Sequence, residues 1–491
     1  MTRLNTLLLI LPLLVPTFPL TAQQDPILDP IPEIPAFTEL GIMVEFVAKI
    51  PDSDNSPPRL NLLKHAHDQS GRLFINDQRG PLYIISPENE VLEYLDLRDI
   101  LPSFLSAGGQ RGFSSFAFHP DFQQNGLFYV VASAHETREP DFPLKSWNGS
   151  IPDTNHHDIL VEFRADDPAS NRFTGGEPRE IMRIAQPFGD HNVGEVAFNP
   201  HARTGDPDYG MLYLAVADGG NVTPVINVDP YDNGQDPGTP LGSILRIDPA
   251  GNNSANGRYG IPPDNPFVSD EAALDETWAY GFRNPHRINW DPLREDRLFA
   301  YGIGQWFIEE INLVEKGGNY GWSIREGWWV LEEDNEFALY PLPEDDPEEL
   351  IYPIAQYDHP GVPGESFTGF GAIAGGYVYR GYQMPELFGK LIFADFSKDD
   401  SRLYYIDTDQ LDTLASGETA TVYKLRLFNQ SGTEVSLPRL VRGQENIRTD
   451  VRFGIGEDRE VYLLNKHNGS VYHFISSPQA TSQPPHLQSY F

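Results

Sequence analysis

Trp278-Ala-Tyr-Gly-Phe-Arg-Asn-Pro-His-Arg-Ile-Asn-Trp-Asp-Pro292, Arg297-Leu-Phe-Ala-Tyr-Gly-Ile-Gly-Gln305 and Glu309-Glu-Ile-Asn-Leu-Val-Glu-Lys-Gly-Gly-Asn-Tyr-Gly-Trp322 form the stretch on which the fold turns. Two short apolar runs, Arg287 to Trp290 and Leu298 to Tyr301, flank an Asp-Pro turn, and a third, Ile311 to Val314, follows a polar loop. Runs of this length bounded by turn residues predict three consecutive antiparallel strands. Their connections must alternate between two ends of the sheet. Arg283 and Asn284 precede the first strand and Gly304 and Gln305 follow the second, so a guanidinium, an amide and a bare backbone turn share one end, which reads as a ligand site.

The same unit recurs along the chain. Gly71-Arg-Leu-Phe-Ile-Asn with Gly80-Pro-Leu-Tyr-Ile-Ile, Gly389-Lys-Leu-Ile-Phe-Ala-Asp with Ser401-Arg-Leu-Tyr-Tyr-Ile, and Glu460-Val-Tyr-Leu-Leu-Asn with Gly469-Ser-Val-Tyr-His-Phe each give two strands around a polar turn. Looser copies start at Gly126, Gly210 and Arg297, and several are preceded by a strand ending in X-Pro, at Pro120, Pro200 and Pro292. Six spaced copies with almost no helical periodicity predict an all-β, six-bladed β-propeller of four-stranded antiparallel blades over residues 40–475, its first and last strands closing the ring; a sandwich with long insertions is the alternative. In such a fold the loops before the first strand and between the second and third strands of every blade emerge on one face. Gln110-Arg111, Asp190-His191, Arg283-Asn284, Asp218-Gly219-Gly220, Gly304-Gln305 and the loop from Lys398 to Arg402 therefore converge. Residues 328–368, acidic, aromatic and Pro-rich, read as a long insertion without strand repeat that walls one side of the site.

Residues 1–22 read as a cleavable secretory signal, 23–39 as an extended lead-in without structure of its own and 476–491 as a tail, which predicts a periplasmic or secreted protein with no membrane span after signal removal. The chain of 491 residues has no cysteine, which excludes disulfides, thiolate metal sites and covalently attached c-type haem. A net charge of −36 argues against nucleic acid and anionic membranes. Against that background, gathered basic residues are informative.

His191, in Phe188-Gly-Asp-His-Asn-Val-Gly, stands before a strand with Asp190 beside it, as a general base oriented by a carboxylate would. The turn Gly302-Ile-Gly-Gln offers carbonyl oxygens suited to a hard cation such as calcium. Arg283, Arg380 and Arg402 together would suit an anionic ligand.

Gly109-Gln-Arg-Gly-Phe with Phe116-Ala-Phe-His-Pro-Asp-Phe, Asp190-His191, Gly281-Phe-Arg-Asn-Pro, Glu310-Ile-Asn-Leu with Lys316-Gly-Gly-Asn-Tyr-Gly-Trp, and Gly376-Tyr-Val-Tyr-Arg-Gly resemble, in order, the motifs of the soluble, pyrroloquinoline-quinone (PQQ)-dependent glucose, aldose and sorbosone dehydrogenases. The resemblance implies PQQ and Ca2+ as cofactors, a sugar substrate and an external electron acceptor, a quinone or a cytochrome. It also implies His191 as the base that takes the anomeric hydroxyl proton, with Arg283 and Asp190 beside it. Gln110 would hold the sugar, Asn284, Arg380 and Arg402 the quinone, and the carbonyls of Gly304 and Gln305 the metal. The chain departs from that pattern at Asn192-Val-Gly-Glu195, at Gln305, at Arg380 where the glucose enzymes have Lys, and near Thr223, where a Gln is expected. A non-catalytic exported binding propeller and a calcium-dependent propeller lactonase are the competing readings.

Overall fold

The computed structural model describes residues 25–477, apart from short gaps of which the longest are 221–228, 333–337, 360–370 and 397–401. The expected signal, most of the tail, Lys398 and Thr223 lie outside the described residues. The chain is all-β; among the described residues the α-helices, Leu97–Ile100, Phe122–Asn125 and Leu437–Arg442, are one or two turns each.

Four sheets are separate four-stranded antiparallel meanders, whose first strands are Phe113–Phe118, Val193–Phe198, Pro285–Asp291 and Ile373–Val378. A nine-stranded sheet divides, at the one bridge Leu63–Gly454 between two parallel strands, into two more such groups, with Arg426–Phe428 as a ninth strand parallel to Gly41–Lys49. One begins at Leu60–Lys64. The other begins at Val451–Ile455 and takes its fourth strand, Gly41–Lys49, from the start of the chain, paired antiparallel with Ser470–Ser476. Closure by the first and last strands is thus present. First strands contact one another in sequence order, and Val451–Ile455 returns to Leu60–Lys64.

The inner strands, such as Phe113–Phe118, Pro285–Asp291 and Ile373–Val378, are buried on both faces, which explains why they read as apolar runs rather than as clean alternations. One core joins Ala117, Tyr129 and Val131 to Val196, Leu212 and Leu214; another joins Phe299, Tyr301 and Ile311 to Ile373, Leu391 and Phe393. The closing core sets Leu60, Leu63 and Ile75 against Leu464, Val471 and Ala48.

In the quoted stretch the expected strands are Pro285–Asp291, Arg294–Gly302 and Ile308–Leu313, with Pro285 opposite Gly302 and Gly302 opposite Glu310. Arg283, Asn284 and the turn after Gly302 therefore share one end, and Asp291-Pro292 lies at the other. The segment 328–368 carries more regular structure than expected: Trp329–Glu332 and Ala338–Tyr340 form a small sheet with Arg325–Glu326, and Ala355–Asp358 is the fourth strand on Ile308–Leu313. Its core, Phe307, Leu331 and Leu339, includes Trp322. The lead-in also pairs locally, Ile27 with Leu339 and Ala36 with Tyr423.

Candidate functional site

His191 precedes Val193–Phe198 in a backbone conformation, φ 58°, that a non-glycine residue rarely adopts. Its amide N–H donates to Gln110 Oε1 at 3.0 Å, and its Nδ1 lies 2.7 Å from Asp218 Oδ1. With Nδ1–H donating to the carboxylate, Nε2 is the nitrogen left to accept a proton. Asp218 is itself held: Oδ1 accepts from Gly220 N at 2.9 Å, and Oδ2 from Trp322 Nε1 at 2.9 Å. Gly220 has to be glycine, because a Cβ there would sit 3.1 Å from the His191 ring at φ 73°.

The carboxylate that orients His191 is thus Asp218, not the adjacent Asp190. Asp190 Oδ1 accepts from Gln110 N at 3.1 Å. Sequence proximity suggested Asp190; the strand register brings Asp218, at the end of the second strand of the same meander, across to the ring. The Gly-Gly after Asp218 was the available signal.

Next along the same end lies the Gly304 turn. Glu326 Oε1 accepts four consecutive backbone N–H groups, from Gln305, Trp306, Phe307 and Ile308, at 2.8, 3.0, 2.9 and 3.0 Å, a nest built on one carboxylate oxygen. So tight a turn admits only glycine at 304, where a Cβ would come within 1.8 Å of the Ile308 carbonyl oxygen. The oxygens of this turn converge on Arg283: Nη1 donates to Ile303 O at 2.9 Å and Gly304 O at 2.7 Å, and Nε to Gln305 Oε1 at 2.8 Å. The guanidinium also faces the Trp322 ring at 5.6 Å. Burial lowers its pKa, and Asp218, Glu326, Glu309 and Asp229 oppose that shift.

This donor set does not fit calcium as expected at Gly304 and Gln305. The Gly304 carbonyl accepts from a guanidinium, and Ca2+ held at its usual 2.3–2.6 Å would lie roughly 4 Å from that charge. At an effective dielectric of about 20 the repulsion is about 8 kcal/mol before nearby carboxylates are counted. Among the described residues there is no group of three or more His, Asp or Glu that could hold a metal ion.

Beside His191 opens a cavity of about 520 Å³ lined by Arg59, Arg79, Arg448, Arg452 and Lys466 with Gln110, Asp190, His286, Ile303 and Asp450. Arg448 pairs with Asp450 at 2.7 Å, and Arg79 lies 3.9 Å from Asp77. Arg59, Arg452 and Lys466 form no ion pair with a described carboxylate. Burial, then Arg287, pushes Arg452 down to about 9, and burial with Arg452 and Arg59 nearby holds Lys466 well below its ordinary value. Buried polar atoms without a partner line it too, both ring nitrogens of His286 and Nε of Arg452, and both side-chain amide atoms of Asn284, whose backbone carbonyl accepts from the His286 and Ile303 amides, are likewise unpartnered. Unpaired buried charges and orphaned donors are costly, so the arrangement suits a polyanionic ligand with hydrogen-bonding oxygens.

Two expected anion ligands are elsewhere. Arg380 follows Ile373–Val378 at the far end and makes a two-pronged ion pair with Asp291, at 2.9 and 2.6 Å, over the Phe388 ring at 5.0 Å. It secures the X-Pro end rather than the cavity. Arg402 lies opposite Asp395 in the strand register, at an outer groove with Phe37, Thr38 and Lys424. Glu195, a departure from the family pattern, pairs with Lys64 at 2.7 Å between inner strands and lines a different cavity, with Trp290 and Tyr377. Arg59, Arg79, Arg448, Arg452 and Lys466 were missed by sequence reasoning, although the loop rule, applied to the first and last meanders, reaches all but Arg452, which stands within the strand Val451–Ile455.

An all-β ring of antiparallel meanders with its polar residues gathered at one end defines the class of the molecule, and relatives sharpen it. A family model described as "Glucose / Sorbosone dehydrogenase" matches residues 60–433, and the chain belongs to that family. It is 30% identical over 370 residues to the HIPL1 protein of Arabidopsis thaliana, covering 68% of this chain and 50% of that one. To the human Hedgehog-interacting protein it is 26% identical over 335 residues, covering 67% and 40%. The chain thus spans half or less of the length of these relatives. The PQQ-bound form of aldose sugar dehydrogenase from Streptomyces coelicolor matches at a TM-score of 0.54 and 18% identity, covering 90% of this chain and 99% of that one, a likeness of fold.

Proposed function

We propose that the chain is an exported, six-bladed propeller enzyme that oxidises the anomeric carbon of an aldose-type sugar to a lactone, with PQQ as hydride acceptor and an external quinone or cytochrome taking the electrons onward. The blade count takes the nine-stranded sheet as two blades sharing one bridge. The observation that carries the reading is the cationic cavity: a protein with net charge −36 gathers five Lys and Arg at one opening beside a His–Asp pair. PQQ, a tricarboxylate, fits that charge, and the orphaned atoms of Asn284, His286 and Arg452 supply partners for its oxygens. When bound, PQQ supplies a two-electron acceptor that no side chain provides.

The chain's own groups do the rest. His191 Nε2 takes the proton from the anomeric hydroxyl as hydride leaves the same carbon, and Asp218 holds the ring and stabilises the imidazolium. Gln110, through its bond to the His191 amide, and Asp190, through its bond to the Gln110 amide, fix the loop at the sugar side. Calcium is given no step. The second reading, an exported binding module without catalysis, is favoured by the similarity to Hedgehog-interacting protein.

Titrating PQQ into the wild type and His191→Ala, then following dye reduction across aldoses, tests the proposal. We expect equal binding and a rate loss of about 10²- to 10⁴-fold, the usual contribution of a general base. Sugar oxidation unchanged by the substitution would move the base elsewhere. Failure of either protein to bind PQQ would favour the binding module, and turnover of lactones without quinone a hydrolase.

A further inference from the structure

We propose that the Arg283 guanidinium is itself the cation of the Gly304 turn, so that this turn takes no calcium and an anionic ligand binds the cavity in a metal-independent way. The proposal rests on the cofactor reading above only for its choice of ligand; the turn can be tested alone.

Three oxygens point at one group. Ile303 O, Gly304 O and Gln305 Oε1 all accept from Arg283, which uses Nη1 for the first two and Nε for the third. Nη2 has no hydrogen-bond partner among the described residues and is the donor left for a ligand oxygen. The turn is held in this state from behind, because Glu326 draws four consecutive N–H groups to one oxygen and so sets the preceding carbonyls toward the guanidinium. Gln305 is what completes the set: its amide oxygen fixes Nε, which a residue without a side-chain acceptor at 305 would leave free. Room is short as well. The enclosed space among Arg283, Gly304, Glu310, Trp322 and Glu326 is about 20 Å³, enough for about one water and far from the six to eight oxygens that calcium gathers. A guanidinium provides the same electrostatic service as a Lewis acid, a positive charge against a carbonyl oxygen, with donors in a fixed plane.

Terbium, which occupies calcium sites and emits when excited through a nearby indole, reports on the turn because Trp322 lies against Arg283. Wild type and Arg283→Ala are titrated with terbium and then with excess calcium, with circular dichroism as a check on folding; Arg283→Lys serves if the alanine variant does not fold. PQQ binding to the wild type is measured separately in chelator and in calcium. The expected result is no calcium-displaceable emission from the wild type, its appearance once the guanidinium is removed, and PQQ affinity equal within about twofold in the two buffers. Calcium-displaceable emission from the wild type that is unchanged in the Arg283 variant, or PQQ affinity lower by about tenfold or more in chelator, overturns the proposal and leaves the function standing. If PQQ binds in neither buffer, the functional reading falls while the terbium result still decides the occupant of the turn.

Discussion

Arg452 and Lys466 stay below their ordinary pKa values because burial and their cationic neighbours disfavour charge. A bound polyanion reverses that balance and raises both, so binding takes up protons. The sign follows from linkage: with pKa low in the free protein and higher in the complex, affinity is full at lower pH and falls as pH rises through the free-state values, that of Arg452 lying at about 9. Calorimetric titration of PQQ in two buffers of different ionisation heat should show net uptake, reduced in Arg452→Met; equal apparent heats would count against these cations as ligands. Residues are also where the sequence was least legible. Arg380 and Arg402 read, together with Arg283, as ligands for one anion, but a basic residue in sequence does not reveal whether Asp291 lies within reach of it. His191 was legible because it sits in a Gly-bounded loop just before a strand; its carboxylate partner was not, because the pairing of Asp218 with it spans a strand connection.

Elements were far more legible, since a fully buried strand must be a short apolar run between turns, and the second and third strands of each meander have that form. The short fourth strands, such as Thr277–Tyr280, Ala355–Asp358 and Tyr423–Lys424, carry two to four residues and too few periods to register. The strand Gly41–Lys49 offers a direct measure of ring closure. Val44 pairs with Phe474 and is buried in the core between the last two meanders, whereas Phe46 on the same strand is 52% exposed. We expect Val44→Asp, which buries an unpaired carboxylate, to lower stability by about 3 kcal/mol or more, and Phe46→Ser to change it by about 1 kcal/mol or less. Chemical denaturation reads both. Comparable losses from the two would mean that Val44 is not buried between the last two meanders.

At the scale of the molecule, the net charge of −36 and the cationic cavity pull an anionic ligand in opposite directions. Far from the opening the acidic surface dominates; inside it the buried cations do. Salt shortens the Debye length from about 30 Å at 0.01 M to about 8 Å at 0.15 M, which screens the distant repulsion more than the close attraction. Association of PQQ should therefore become faster with salt over that range, the reverse of ordinary electrostatic steering. Stopped-flow quenching of tryptophan emission would follow it, and a rate that falls with salt would show that the basic opening outweighs the surface. The cavity's cations also have a place in the ring. Arg59 and Arg79 come from the first meander, Arg448, Arg452 and Lys466 from the last, and these two meet at the single bridge Leu63–Gly454. A ligand with several carboxylates acts there as a rivet driven across a seam. Bound at about a hundred times its dissociation constant it would add about 2.7 kcal/mol to the work of opening, concentrated in Leu60–Lys64 and Val451–Ile455 rather than in Ser243–Ile247 across the ring. Amide exchange should slow most along that join, making the loaded protein hardest to unzip at the place where its first and last meanders meet.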